Sequence, residues 1–167
     1  MTAVELQQRT LVDVDGGRQT IAALAGETAT VIVFVANGCP TARAYGDRLE
    51  AMHNEWAPRG VRMIAVNSNN SSLSPPDTPA EMAKRGFPFP YLKDEGGVLA
   101  RSLDARCTPH AFLLDRDLSV VYSGRIDDSR LGDRITSRDL QDAIAAVVGG
   151  RPVPSSGTEP FGCSIVW

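Results

Sequence analysis

Apolar residues change period several times along this chain, and each change marks an element. Apolar and polar positions alternate in TLVDV (residues 10–14), and Asp15-Gly16-Gly17 follows. Alternation running into Asp-Gly predicts a β-hairpin. IAAL at 21–24 predicts a single helical turn closed by Gly26. VIVFV at 31–35 is continuously apolar and rich in β-branched residues, the pattern of a strand covered on both faces. Beyond it the period lengthens. Tyr45, Leu49, Met52 and Trp56 share one face of a helix predicted over 40–57. Pro40 suits its first turn, where a missing N–H costs nothing, and Pro58 and Gly60 end it. A second buried strand follows at 61–66. Strand, helix and strand with short links argue for a right-handed βαβ unit and a parallel sheet.

The polar, proline-rich stretch 67–77 predicts a loop. Thr78-Pro79-Ala80-Glu81 has the pattern of a capping box, opening a short helix that reaches Arg85 and stops at Gly86. FPFPYL at 87–92 predicts an edge strand, because prolines spoil a central one. Residues 98–103 predict a helix, 111–114 and 119–124 two strands with a turn at 115–117, and about 138–148 a last helix carrying Leu140, Ile144, Val147 and Val148 on one face. The order is a hairpin, βαβ, an inserted helix–strand–helix, then ββα. Residues 1–150 are expected to form one domain and 151–167 a tail carrying Cys163.

With 167 residues the chain can bury a sizeable core. Its net charge of −3 gives no reason to expect nucleic acid or an anionic membrane as partner. The start, MTAVELQQRT, lacks a basic stretch followed by an apolar run, so no signal peptide is expected, and no window approaches the roughly 18 apolar residues of a membrane span. A cytoplasmic protein is the expectation. The three cysteines Cys39, Cys107 and Cys163 are too few and too dispersed for a secreted disulfide framework.

Cys39 falls where a strand's carboxyl end meets a helix N-terminus. Backbone N–H groups there lack intrahelical partners and the dipole favours a thiolate. Cysteine pKa values in such places fall from ~8.5 to as low as ~3.5. Arg43, one turn on, adds positive charge. Sites in parallel α/β sheets form outside the carboxyl ends of strands. The alternative role for Cys39 is that of a small buried hydrophobe.

The stretch FVANGCPTA, residues 34–42, with Thr108-Pro109 before the strand at 111–114, resembles the thioredoxin-fold redox proteins. The inserted segment and N-terminal hairpin resemble the peroxiredoxin-like branch (alkyl hydroperoxide reductase and thiol-specific antioxidant relatives). The resemblance spans most of residues 10–148. It implies an α/β thioredoxin-like fold, a central mixed β-sheet flanked by helices, with Cys39 as nucleophile and Thr108-Pro109 as a cis-proline segment facing it. This chain departs from those families in two ways. The second cysteine of a Cys-x-x-Cys stretch would stand at Ala42. The proline and threonine of the peroxiredoxin pattern Pro-x-x-x-Thr-x-x-Cys meet Ile32 and Ala36 when aligned on Cys39, which speaks against efficient peroxide reduction.

A single thiolate needs a resolving thiol to turn over. With Ala42 in place of the usual partner, Cys163 is the expected one, brought by a tail whose Phe161, Ile165, Val166 and Trp167 need a groove; Cys107, two residues before Pro109, is the alternative. His110 is a candidate proton donor or a hydrogen-bonded structural residue. His53 is expected to pack or lie at the surface, Tyr45 and Trp56 to pack in the core, and Asp127, Asp128 and Asp133 to form a solvated turn. The favoured function is thiol–disulfide oxidoreductase or peroxiredoxin-like antioxidant activity with a single cysteine at the strand–helix junction, no bound cofactor, and a thioredoxin or small thiol as reductant. A non-catalytic binding module is the competing class, and a copper site built from Cys39, Cys107 and His110 a remote one.

Overall fold

A computed structural model describes all residues, 1–167. The elements in chain order are α1 (Ala3–Gln8), β1 (Thr10–Asp13), β2 (Arg18–Thr20), α2 (Ile21–Leu24), β3 (Ala29–Phe34), α3 (Pro40–Ala44), α4 (Gly46–Trp56), β4 (Val61–Asn67), α5 (Pro79–Ala83), β5 (Tyr91–Lys93), α6 (Val98–Ser102), β6 (Cys107–Thr108), β7 (His110–Leu114), β8 (Val120–Gly124), α7 (Asp139–Val148) and β9 (Cys163–Ser164). Seven strands form one mixed sheet in the order β2-β1-β5-β4-β3-β7-β8. β3 pairs in parallel with β4, and β4 with β5; the other pairs are antiparallel. This is the thioredoxin-like α/β fold, with the hairpin and the inserted helix–strand–helix where the sequence pattern puts them. No helix is long and apolar enough to cross a membrane.

The continuous apolar run of β3 has the predicted cause. Val31 and Val33 pack into a core on one face with Tyr45, Leu49, Leu140 and Ile144 of the helices. Ile32 and Phe34 pack into the other face with Ile64, Leu99 and Phe112. Successive strand side chains alternate faces, so a strand with helices on both sides has no polar position to offer.

Four local expectations need correction. The helix over 40–57 is two helices meeting at Tyr45. Gly46 opens the second helix, and the Arg85 guanidinium lies over it in the space that a Cβ would take. The strand after the Phe-Pro repeats is not at an edge: β5 lies between β1 and β4. Pro88 and Pro90 precede it, and Pro90 needs only its carbonyl, which accepts from the Ala65 N–H. The Thr78 cap is half a capping box. Thr78 Oγ1 accepts from the Glu81 N–H, whereas the Glu81 carboxylate pairs with Lys84. Finally, Asp127 is buried rather than solvated, accepting from Tyr45 Oη at 2.9 Å and Arg48 Nη1 at 2.6 Å. It ties α4 to the segment after β8.

The tail is held to the domain in sequence. Residues 156–158 lie along the β8 edge, where Ser123 N donates to Ser156 O and Thr158 N to Ser123 O. The chain then crosses to β6, with which β9 forms a separate two-stranded ladder. Ile165 enters the core and Phe161 packs against Tyr45. Trp167 is only about half covered (46% exposed), short of the expected burial in a groove; it lies over Gly97 and against the Arg101 guanidinium at 4.3 Å.

Candidate active site

Cys39 is the N-cap of α3, with extended backbone, and its Sγ accepts from the Ala42 N–H at 3.2 Å. That N–H is one of the orphan donors at a helix start, here turned onto sulfur. Pro40 at the first helical position has no N–H to satisfy. Cys39 is buried, and its Sγ lies 3.3 Å from the Thr108 carbonyl oxygen. The Thr108-Pro109 peptide is cis, as expected, and its segment faces Cys39.

Cys39 is bonded to Cys163 in a disulfide, with their Cα atoms 5.9 Å apart. Bridged cysteines ordinarily have Cα separations of about 4.4–6.8 Å, so the backbone needs no shift to form this bond. The strand–helix junction therefore holds one cysteine of a pair, and the expectation of a single-cysteine site gives way to a site closed by the tail. The β6–β9 ladder sets the register, with Thr108 opposite Cys163 and Cys107 opposite Ser164. Gly162, at φ +155°, precedes it; a Cβ there would collide with the Thr108 carbonyl, so only glycine lets the tail approach this closely.

The same register removes Cys107 from the pair. Residues opposite one another in a ladder share a face and neighbours alternate, so Cys107 points away from Cys163. It is a free, buried thiol 3.7 Å from the Pro109 carbonyl, and burial pushes its pKa up. Thr108 shares the face of Cys163, and its buried hydroxyl has no hydrogen-bond partner. His110 is not placed as a proton donor. Its Nδ1 accepts from the Arg106 N–H, its Nε2 meets Ser123 Oγ, and burial, with the Arg106 charge, lowers its pKa to about 4. Arg43 is exposed and donates to the Asn37 carbonyl at 2.6 Å. With Cys39 in a disulfide, the sulfur required by the copper alternative is occupied, and no group of three His, Cys, Asp or Glu side chains is placed to share a metal ion.

A buried polar network beneath the site went unrecognised in the sequence. Asp77, fully buried, accepts from the backbone N–H groups of Asn37 (2.7 Å) and Gly38 (3.2 Å) and from Asn67 Nδ2, Asn69 Nδ2 and Ser74 Oγ. Burial alone would raise its pKa, but the donors from Ser74, Asn69, Asn67 and Gly38 outweigh that and hold it below the usual carboxylate range. Lys93, also buried, donates to the carbonyls of Asn69 and Asp77 and to Asn67 Oδ1. Burial lowers its pKa against the pull of Asp77, Glu95 and Asp94. Tyr91 Oη donates to Asn37 Oδ1. Asn69 Oδ1 accepts from the Val166 N–H, and Asn70 N donates to Val166 O. One set of hydrogen bonds thus fixes both the loop entering Cys39 and the tail leaving Cys163.

The Redoxin family profile matches residues 2–144. A search of curated proteins returned no match. Among solved structures, an uncharacterized conserved protein from Geobacillus kaustophilus superposes with a TM-score of 0.89 at 39% identity, over 96% of this chain and 90% of that one. A hypothetical protein from Sinorhizobium meliloti 1021 gives 0.89 at 32% identity, over 97% and 92%. Peroxiredoxin Q from Xanthomonas campestris gives 0.64 at 22% identity, over 88% and 94%, a likeness of fold.

Proposed function

Since the chain belongs to the Redoxin family, whose role is thiol redox chemistry, we propose that it is a thiol–disulfide oxidoreductase with Cys39 as nucleophile and Cys163 as resolving thiol. The observation that carries this reading is the Cys39–Cys163 bond, formed at a helix start with a backbone N–H already on the Cys39 sulfur. In the reduced protein, the Cys39 thiolate attacks a sulfur of a substrate disulfide and expels one thiolate. The Cys163 thiolate then attacks Cys39 Sγ, expels the second, and closes the internal disulfide. The substrate disulfide gains two electrons and the protein dithiol loses them.

Regeneration runs the other way. A reductant thiolate attacks at Cys163, the partly exposed residue of the pair, since Cys39 is buried. Cys39 leaves as a thiolate held by the Ala42 N–H, and a second reductant thiol completes the reduction; a leaving thiol of low pKa leaves faster. A thioredoxin or a small thiol fits that role. Disulfides suit the site better than peroxides. Ala36, which stands where the peroxiredoxin pattern has its threonine, is a buried core residue and supplies no hydroxyl to direct at a peroxide.

Alkylation of the reduced protein across pH tests the reading. Cys39 is expected to alkylate fastest of the three thiols, with a half-reaction pH well below the ~8.5 of free cysteine. A half-point at or above ~8.5 would favour the non-catalytic module instead.

A further inference from the structure

Cys163 lies between two anchors of the tail, and neither passes through a sulfur. Upstream, Thr158 Oγ1 meets Tyr122 Oη at 2.7 Å and accepts from the Arg125 N–H at 3.1 Å, while the backbone of 156–158 is bonded to Ser123. Downstream, Ile165 is buried in the core. The Val166 N–H donates to Asn69 Oδ1 at 2.9 Å, and the Val166 carbonyl accepts from the Asn70 N–H at 2.6 Å. Residues 159–164, Cys163 among them, are strung between these fixed ends.

Asn69 is itself held on three sides. Its Nδ2 donates to Asp77 Oδ2 at 3.0 Å, its N–H donates to Asn67 Oδ1 at 3.1 Å, and its carbonyl accepts from Lys93 Nζ at 2.5 Å. With the amide nitrogen fixed on a carboxylate, the amide oxygen is left to accept from the tail. An aspartate there would set a second carboxylate against Asp77. The same Asp77 accepts from the N–H groups of Asn37 and Gly38, directly before Cys39. A path of hydrogen bonds therefore runs from the backbone before Cys39, through Asp77 and Asn69, to the backbone after Cys163, independent of the disulfide.

We infer that Asn69 is a positioning residue for the resolving step: it keeps Cys163 beside Cys39 while the two sulfurs are unbonded, so that the internal disulfide closes at high effective concentration. The inference rests on the thiol–disulfide reading above and assigns what sets the rate of its second step. In that step the Cys163 thiolate attacks the Cys39 sulfur of the mixed disulfide. The Cys39–Cys163 bond forms, the bond to the bound half breaks, and that half leaves as a thiolate with the bonding electron pair. The bound half stands on Cys39 where Cys163 otherwise sits, so closure depends on the fraction of tails still docked. Tethering makes the attack intramolecular, and fixing its geometry raises the effective concentration further.

The test is stopped-flow release of pyridine-2-thione from one equivalent of 2,2′-dithiodipyridine by the reduced full chain carrying Cys107→Ser. The first thione released reports attack by Cys39, a phase assigned with Cys163→Ser, and the second reports closure. Asn69→Ala is expected to slow closure about three- to tenfold relative to the first phase, the range of one hydrogen bond. Ile165→Ala, which loosens the same anchor without touching Asp77, is expected to act in the same direction. Amide hydrogen exchange needs no variant: the Asn70 N–H, whose acceptor is the Val166 carbonyl, is expected to stay protected in the reduced parent and to exchange faster in reduced Asn69→Ala. An unchanged ratio of the two phases in Asn69→Ala overturns the inference, as does equal slowing of both, which would mean a general loosening of the site. Loss of Asn70 protection on reducing the parent overturns it too. Failure of the parent to release the second thione overturns the thiol–disulfide reading itself.

Discussion

Cys39→Ser is expected to remove thiol-dependent disulfide reduction, lowering turnover on the order of 10³-fold or more, because neither remaining sulfur is both activated and paired with a resolving thiol. Cys163 is held on a tail whose neighbour Ser164 is exposed and receives no helix-terminal N–H, and Cys107 faces away from the pair with its pKa raised by burial. The companion variant separates nucleophile from resolving thiol. Cys163→Ser keeps the first step and loses the second, so it is expected to release one equivalent of thiol from a disulfide probe and stop as a mixed disulfide on Cys39. Intact-mass measurement at short times after a single addition of probe checks both: an adduct forms far more slowly in Cys39→Ser than in the parent, and Cys163→Ser carries one stable adduct. Equal turnover in Cys39→Ser and the parent would dismiss Cys39 as the nucleophile.

Asp77→Ala is expected to destabilise the fold by about 3–5 kcal/mol, the usual cost of removing one partner from a buried charged network. The substitution strands five donors, two of them the backbone N–H groups of Asn37 and Gly38 that enter the active-site turn, and removes the carboxylate that acts most strongly on the buried Lys93. For a domain of this size each kcal/mol lowers the melting temperature by about 2–4 °C, so a fall of roughly 6–20 °C is expected. The pH dependence follows from the lowered pKa of Asp77 in the folded state. In the folded protein the carboxyl gives up its proton at a lower pH than in the unfolded chain, so its stabilisation is complete above the unfolded value of ~3.9 and is lost as pH falls through the folded value. Urea unfolding at pH 7 and at pH 3 is therefore expected to show a wide gap between the parent and Asp77→Ala at neutrality and a narrower one in acid. A gap that is small at pH 7 would show that the network has relaxed around the substitution.

The residues that make the site were legible in the sequence to different degrees. Cys39-Pro40 could be placed because a β-branched run and a 3.6-residue period meet there, and two covalently adjacent residues fix the geometry of such a junction. Cys163 could be paired only by way of the missing cysteine at Ala42, and its register against Thr108 was not visible, because a two-residue ladder carries no period. Asp77, Asn67, Asn69 and Lys93 were hidden for a different reason. In a Ser/Asn/Pro-rich stretch, polar residues read as solvated, and nothing local distinguishes a surface aspartate from one that collects five donors across sequence separations of up to 40 residues. Asp127 was misread in the same way: its partners, Tyr45 and Arg48, lie about 80 residues earlier. The prolines of 87–92 point to an edge strand only if they belong to it, and they end one residue before the β5 ladder begins.

The central claim is that Cys39 and Cys163 form one redox couple. Non-reducing peptide mapping tests it most directly: the protein is fully reduced, oxidised with one equivalent of a disulfide or dilute peroxide, quenched in acid and digested. The account predicts a Cys39–Cys163 crosslinked peptide as the dominant product, with Cys107 recovered as a free thiol and the crosslink lost again on treatment with dithiothreitol. A Cys39–Cys107 peptide, or Cys39 hyperoxidised while Cys163 remains free, would contradict it.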